Sequence, residues 1–154
     1  MTGPALPANF RWAAMVPELV VSNLGESLRF WRGLLGFEIA YQRPEADFAY
    51  LYLAEAQIML AERGGMARWL PDELTRPYGR GLNLQITVDD LEAPLLRLRE
   101  QAWPLYLDVE EAWYRAGPVE TGLRQFAVAD PDGYLARLSK PLGQRPSDPK
   151  AGQE

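Results

Sequence analysis

MVPELVVSNL (residues 15–24) returns 67 residues later as LNLQITVDDL (82–91). Each copy is an apolar run that ends in valine, followed by two polar residues and a leucine that opens a helical stripe. In the first copy Val21-Ser22-Asn23-Leu24 leads into Leu28, Trp31 and Leu35, and Gly36 supplies a stop. Asn23 and Glu26 stand at the spacing of a capping box. In the second copy Val88-Asp89-Asp90-Leu91 leads into Leu95 and Leu98, with Asp89 and Glu92 as the expected capping pair. Strand-like runs follow each helix, at 37–43, 47–53 and 56–62, then at 104–109, 123–129 and 133–139. A duplication fixes architecture because each unit must bury its apolar face against its neighbour. The pattern predicts an α+β fold of two βαβββ modules in one domain. Its parts are an N-terminal arm (1–14), a first module (15–62), a connecting loop (63–80), a second module (81–139) and a tail (140–154). The tail has no apolar periodicity and is expected to be disordered.

Composition narrows the function classes. The chain has 16 Lys and Arg against 21 Asp and Glu, a net charge of −5, which disfavours nucleic acid and suits a cationic ligand. It contains no Cys and no His, so thiolate nucleophiles, Cys-type zinc sites and the commonest general base are excluded. MTGPALPANFRW carries no basic segment followed by an apolar run, and no stretch approaches membrane-spanning length. A cytoplasmic protein with no membrane partner is expected.

Alternate residues of a strand point to opposite faces. Leu19 and Val21, Ile58 and Leu60, Ile86 and Val88, and Ala136 and Leu138 form one apolar set that must meet the helices. The opposite set is mixed: Glu18, Gln57, Asn83, Gln85, Thr87, Arg137 and Ser139, with Phe48, Tyr50 and Tyr52 on one parity of DFAYLYL (47–53). Aromatic rings on an open sheet face are costly to leave in water, so this face is predicted to line a ligand cavity. Phe30 and Trp31 sit at core spacing and read as packing residues. Gly79-Arg80-Gly81 is too short to cradle a phosphate, and Asp108, Glu110 and Glu111 read as a solvated acidic cluster.

The doubled unit, the run SLRFW (27–31), LLGF (34–37) and DPDGYLARL (130–138) together resemble the vicinal oxygen chelate superfamily, which includes glyoxalase I, extradiol dioxygenases, fosfomycin-resistance enzymes and bleomycin-resistance proteins. The resemblance spans residues 15–139 and implies open, half-barrel mixed sheets with the helices on their outer face. In metal-dependent members four strand positions, two from each module, supply His, Glu or Gln ligands. Counted from this chain's own landmarks, those positions hold Val16, Met59, Asn83 and Arg137. Valine and methionine offer a hard divalent cation nothing, and arginine's fixed charge repels it. No metal and no cofactor are therefore expected.

The resemblance is closest to the metal-free bleomycin-resistance-like proteins. Residues 47–65 resemble their aromatic-then-apolar hairpin, and LRQFAVADPDG (123–133) resembles their Arg-Glu-Phe-Ala…Asp-Pro segment. They are acidic homodimers that sequester a planar, cationic drug in grooves at the subunit interface, so a small-molecule ligand and a second copy of the chain are the partners implied. Where they often carry Trp-Gly, this chain has Thr121-Gly122, and Trp113-Tyr114-Arg115 in the preceding loop is the expected substitute. The candidate ligand-binding residues are thus Glu18, Met59, Asn83, Gln85 and Arg137 on the strands, Phe48, Tyr50 and Tyr52 as stacking walls, and the loop residues Trp69 and Trp113. The alternative implied is a metal-independent enzyme with Glu18 as base and Arg137 stabilising an oxyanion.

Overall fold

The computed structural model describes residues 5–65 and 67–147. In the first module β1 (Glu18–Val21) passes to α1 (Leu24–Leu28), whose start is closed by the Asn23 side chain accepting the Glu26 N–H at 2.9 Å. The helix widens into a π-helical segment, Arg29–Leu34, where the Leu35 N–H reaches the Phe30 carbonyl at 3.1 Å. Gly36, at φ 91°, turns the chain into β2 (Glu38–Arg43), which leads to β3 (Phe48–Leu53) and β4 (Ala56–Glu62). The second module repeats the order with β5 (Asn83–Thr87), α2 (Glu92–Glu100), β6 (Leu107–Ala116), β7 (Val119–Ala129) and β8 (Leu135–Pro146). The sheets run β1-β4-β3-β2 and β5-β8-β7-β6, with the first pair of each parallel and the others antiparallel. The α+β fold of two βαβββ modules is the one the repeat predicts. No helix among the described residues is long and apolar enough to cross a membrane.

Two boundaries differ from expectation. α2 starts at Glu92, so the side chain within reach of its free amides is Asp90, which accepts from the Glu92 N–H at 2.8 Å, and not Asp89. The chain from 140, expected to be a disordered tail, continues as strand to Pro146. β6, β7 and β8 form a ribbon longer than the core beneath it, held by backbone pairing from Leu123↔Pro141 to Val119↔Pro146. Such pairing needs no apolar alternation, which is why periodicity does not reveal it. The Glu120–Arg145 ion pair at 2.6 Å and the Arg145 guanidinium 4.2 Å from the Trp113 ring finish the ribbon. Residues 148–154 lie outside those described.

The apolar set meets the helices. Leu19, Val21, Leu51 and Leu60 of the first sheet and Ile86, Val128, Ala136 and Leu138 of the second pack with Phe30, Trp31 and Leu35 and with Leu91, Leu95 and Leu98 in a single core. Helical residues of both modules thus pack with both sheets in that core.

The joint between modules is the turn Asp130-Pro131-Asp132-Gly133. Asp130 is buried and accepts three N–H donors: Trp31 Nε1 from the first module at 3.0 Å, and the backbone of Asp132 and Tyr134 at 2.9 and 2.8 Å. Asp132 accepts the Ser22 N–H at 3.0 Å, and the Tyr134 hydroxyl donates to the Val20 carbonyl at 2.9 Å. Gly79 presses on this turn so closely that a Cβ there would fall on the backbone of Gly133 and Tyr134.

Gly79→Ala is therefore expected to destabilise the protein by about 3 kcal/mol in urea unfolding, because backbone cannot yield as a side chain does. Gly33→Ala, with open space around its Cβ, should stabilise by about 0.5–1 kcal/mol. Burial pushes the Asp130 carboxyl up from 3.8 to about 6, against the pull of its N–H donors. A folded value above the unfolded one contributes stability that is full below about pH 4 and lost as pH rises through about 6. The stability of wild type should fall across that window by about 2–3 kcal/mol relative to Asp130→Asn, as measured by urea unfolding at each pH.

Candidate functional site

The sheet faces turned away from the helices are equivalent in register and opposite in chemistry. Glu18 lies beside Met59 in the first sheet as Gln85 lies beside Arg137 in the second, and the 67-residue offset carries Glu18 to Gln85. Parity therefore assigned both inner faces correctly.

In the first module Val20, Phe48, Tyr50, Tyr52 and Ala61 form a buried second cluster, with Val16 and Met59 packed against it. The chain's own arm covers it. Phe10 stands edge-on to Tyr52 at 5.2 Å, and Trp12 stands edge-on to Tyr50 at 5.1 Å. The Gln57 side chain clasps the arm's backbone: Oε1 accepts the Ala13 N–H at 3.0 Å, and Nε2 donates to the Arg11 carbonyl at 2.6 Å. The Tyr50 hydroxyl donates to the same Oε1 at 2.6 Å. Burial, more than any neighbour, raises the pKa of the Tyr50 and Tyr52 hydroxyls, so both remain donors at neutral pH. Of the aromatic residues expected to stack on a ligand, Tyr52 and Tyr50 meet Phe10 and Trp12 instead, and Phe48 lies against Tyr41 and the Arg43 guanidinium.

In the second module the same face is polar and uncovered. Asn83, Gln85 and Thr87 are exposed along β5. Arg137, half-buried on β8, donates through one Nη to Gln85 Oε1 at 2.7 Å. Gln125 on β7, 1% exposed, donates through Nε2 to Glu110 Oε1 at 3.0 Å and to the Tyr114 hydroxyl at 2.7 Å. Two buried atoms on this face, Gln125 Oε1 and Arg137 Nε, have no hydrogen-bond partner among the described residues. An unpaired buried acceptor and an unpaired buried donor each cost about 1–3 kcal/mol. A molecule that supplies a donor to one and an acceptor to the other recovers that free energy.

The remaining expected residues fall elsewhere. Trp69 is 60% exposed on the connecting loop, with Arg68 stacked 4.4 Å above its ring. Trp113 belongs to β6 rather than a loop; it lies against Gly122, in register with it, on the face opposite Tyr114. Glu18 is exposed, and no ion pair joins it to Arg137 among the described residues. Gln125 and the arm were not singled out from sequence as site elements, and Tyr114 only as a neighbour of Trp113. Gln125 shows there only as one polar residue in LRQFAVA, and parity with Arg137 was the signal that could have found it.

A family model described as the Glyoxalase/Bleomycin resistance protein/Dioxygenase superfamily matches residues 13–138. No curated protein matches the chain. Among solved structures, a glyoxalase/bleomycin resistance protein/dioxygenase superfamily member from Vibrio splendidus 12B01 is 34% identical, covering 82% of this chain and 97% of that one, with a TM-score of 0.38. TioX from Micromonospora sp. ML1 is 18% identical over 85% of this chain and 100% of its own, with a TM-score of 0.62. The fosfomycin resistance protein FosX from Listeria monocytogenes is 16% identical over 84% and 92%, with a TM-score of 0.53. The last two are likenesses of fold.

The metal that this fold family implies was tested against the four positions. Val16 and Met59 pack in the aromatic cluster, Asn83 is one neutral amide, and Arg137 directs its guanidinium to Gln85. Among the described residues no group of three His, Cys, Asp or Glu side chains is placed to hold a metal. The residues do not fit the ion. Elemental analysis of purified protein incubated with zinc, nickel or iron(II) and then desalted should find well under one ion per chain; one tightly held ion would show that these residues do bind a metal.

Proposed function

The chain belongs to the glyoxalase/bleomycin resistance protein/dioxygenase superfamily, and from that premise we propose that it is a metal-free, bleomycin-resistance-like binding protein that sequesters a planar, cationic or amphipathic small molecule without converting it. The observation that carries this reading is the pair of unpartnered buried atoms, Gln125 Oε1 and Arg137 Nε, on the uncovered inner face of the second module. A flat heterocyclic or amide edge presents a donor and an acceptor side by side, which is the complement this pair asks for. Glu110 and the exposed ring of Tyr114, on the same face, favour a positive charge on the ligand, and the net charge of −5 draws cations inward.

One open sheet covers only one side of such a ligand. In this reading a second copy of the chain closes the groove in a two-fold homodimer with two equivalent sites. Asn83 and Gln85 line the seat beside Arg137, while Phe48, Tyr50 and Tyr52 support the arm. Sequestration of a cationic antibiotic in the cytoplasm is the role that fits such a site. The enzyme alternative needs Glu18 and Arg137 to act on one substrate, and their separation onto different sheets, with Arg137 held by Gln85, weighs against it.

The test is a thermal-shift screen of planar cations and their neutral counterparts. A ligand at 100 times its Kd should add about 2.7 kcal/mol of stability. That gain should shrink by more than half in Gln125→Leu and in Arg137→Ala. Turnover of the bound molecule that disappears in Glu18→Gln would hand the protein to the enzyme reading.

A further inference from the structure

A cavity of about 600 Å³ lies between the arm and the strands β2, β3 and β4, apart from the open face of the second module. Its volume is in the range of small-molecule seats. Three rings line it. Phe10 stands edge-on to Trp12 at 4.8 Å and to Tyr52 at 5.2 Å, and Trp12 is 57% exposed. Two carboxylates line it as well, Glu38 and Glu55, and neither makes an ion pair among the described residues. Glu38 accepts the Tyr52 hydroxyl at 2.9 Å, which leaves its other oxygen free of that bond. Arg11 is the one cation among the lining residues, so the cavity keeps an excess of negative charge.

The cavity is built rather than incidental. Gln57 spends both ends of its amide on the arm's backbone at Arg11 and Ala13, which fixes the rings on either side. Glu55 belongs to the two-residue turn between Leu53 and Ala56, and the turn holds Ala54 at φ 51°, a left-handed conformation that alanine rarely adopts. A positive φ is what a two-residue hairpin turn calls for. Here the side chain that follows it is Glu55.

We propose that this cavity is a second binding site, for a compact organic ammonium group, quaternary or tertiary, carried on a small apolar body. Rings attract such a cation through their π-faces, weakly hydrated methyl groups leave water cheaply, and the carboxylates supply the counter-charge. The site is made jointly by the arm and the first sheet, so it exists only while the arm is docked. It does not depend on the reading of the second module.

Benzyltrimethylammonium is the probe, titrated calorimetrically into the full chain at low salt, with its neutral tert-butyl isostere as control. Wild type should bind one probe per chain, and the isostere at least about tenfold more weakly, near 1.4 kcal/mol. The double variant Glu38→Gln/Glu55→Gln changes two exposed side chains and should keep its thermal midpoint, yet weaken binding by roughly tenfold or more. Trp12→Ala should weaken it to a similar degree, while Arg137→Ala should leave it within about twofold. Binding unaltered in the double variant overturns the proposal. So does binding that Arg137→Ala abolishes, which would move the probe to the second module, and so does the absence of saturable binding in wild type.

Discussion

Asp130 and Asp132 sit almost fully buried in a turn where the two modules meet, and each accepts a hydrogen bond from the first module. Asp130 takes the indole N–H of Trp31 from the first helix, and Asp132 takes the Ser22 N–H at that helix's entrance. Hydrogen bonds to a charged acceptor contribute about 1.5–3 kcal/mol each, and removing one partner leaves a buried charge exposed to no solvent. Tyr134 completes the lock by reaching back to the Val20 carbonyl. The relative setting of the two sheets, and so of their two inner faces, depends on this turn. Its proline and glycine do ordinary turn work; its carboxylates do the work of a hinge pin.

Duplication gave the two inner faces the same register, and side chains then took them apart. On the first, rings on β3 and the amide of Gln57 receive the chain's own arm, which covers the aromatic cluster and leaves a cavity beside it. On the second, Gln125, Glu110, Tyr114, Gln85 and Arg137 make a hydrogen-bonded polar surface with a donor and an acceptor left over. A divalent cation needs several small anionic or neutral donors converging on a point. The pair Met59 and Arg137, equivalent across the repeat, offers a thioether in one sheet and a fixed positive charge in the other.

The repeat, the helices and the inward or outward direction of residues on β1, β3, β4, β5 and β8 were legible in the sequence, because they follow from its spacing and alternation. Leu19 against Glu18, or Leu138 against Arg137, is decided by parity alone. What local patterns do not carry is contact across long sequence separation. Trp31 looks like core and is core, but its N–H belongs to a carboxylate 99 residues away. Gln57 reads as one polar residue on a mixed strand, while its role is set by the arm 44 and 46 residues earlier. The ribbon that carries Tyr114 and Trp113 was shortened in the reading because exposed strands pair through backbone without an apolar alternation, and Pro141, Gly143 and Pro146 argue locally against strand. Parity thus gives the face and not the partners: Arg137, Gln85 and Asn83 share the inner face of the second module, while Tyr50 and Tyr52 stand under the arm.

The central claim is that the second module's inner face, and not the aromatic face of the first, receives the sequestered molecule. A crystal structure of the protein with the strongest planar cation from the stability screen tests it most directly. The account predicts density on the second sheet, within hydrogen-bond distance of Gln125 Oε1 and Arg137 Nε, with the arm still docked over Phe48, Tyr50 and Tyr52. Density stacked on those three rings with the arm displaced would contradict it.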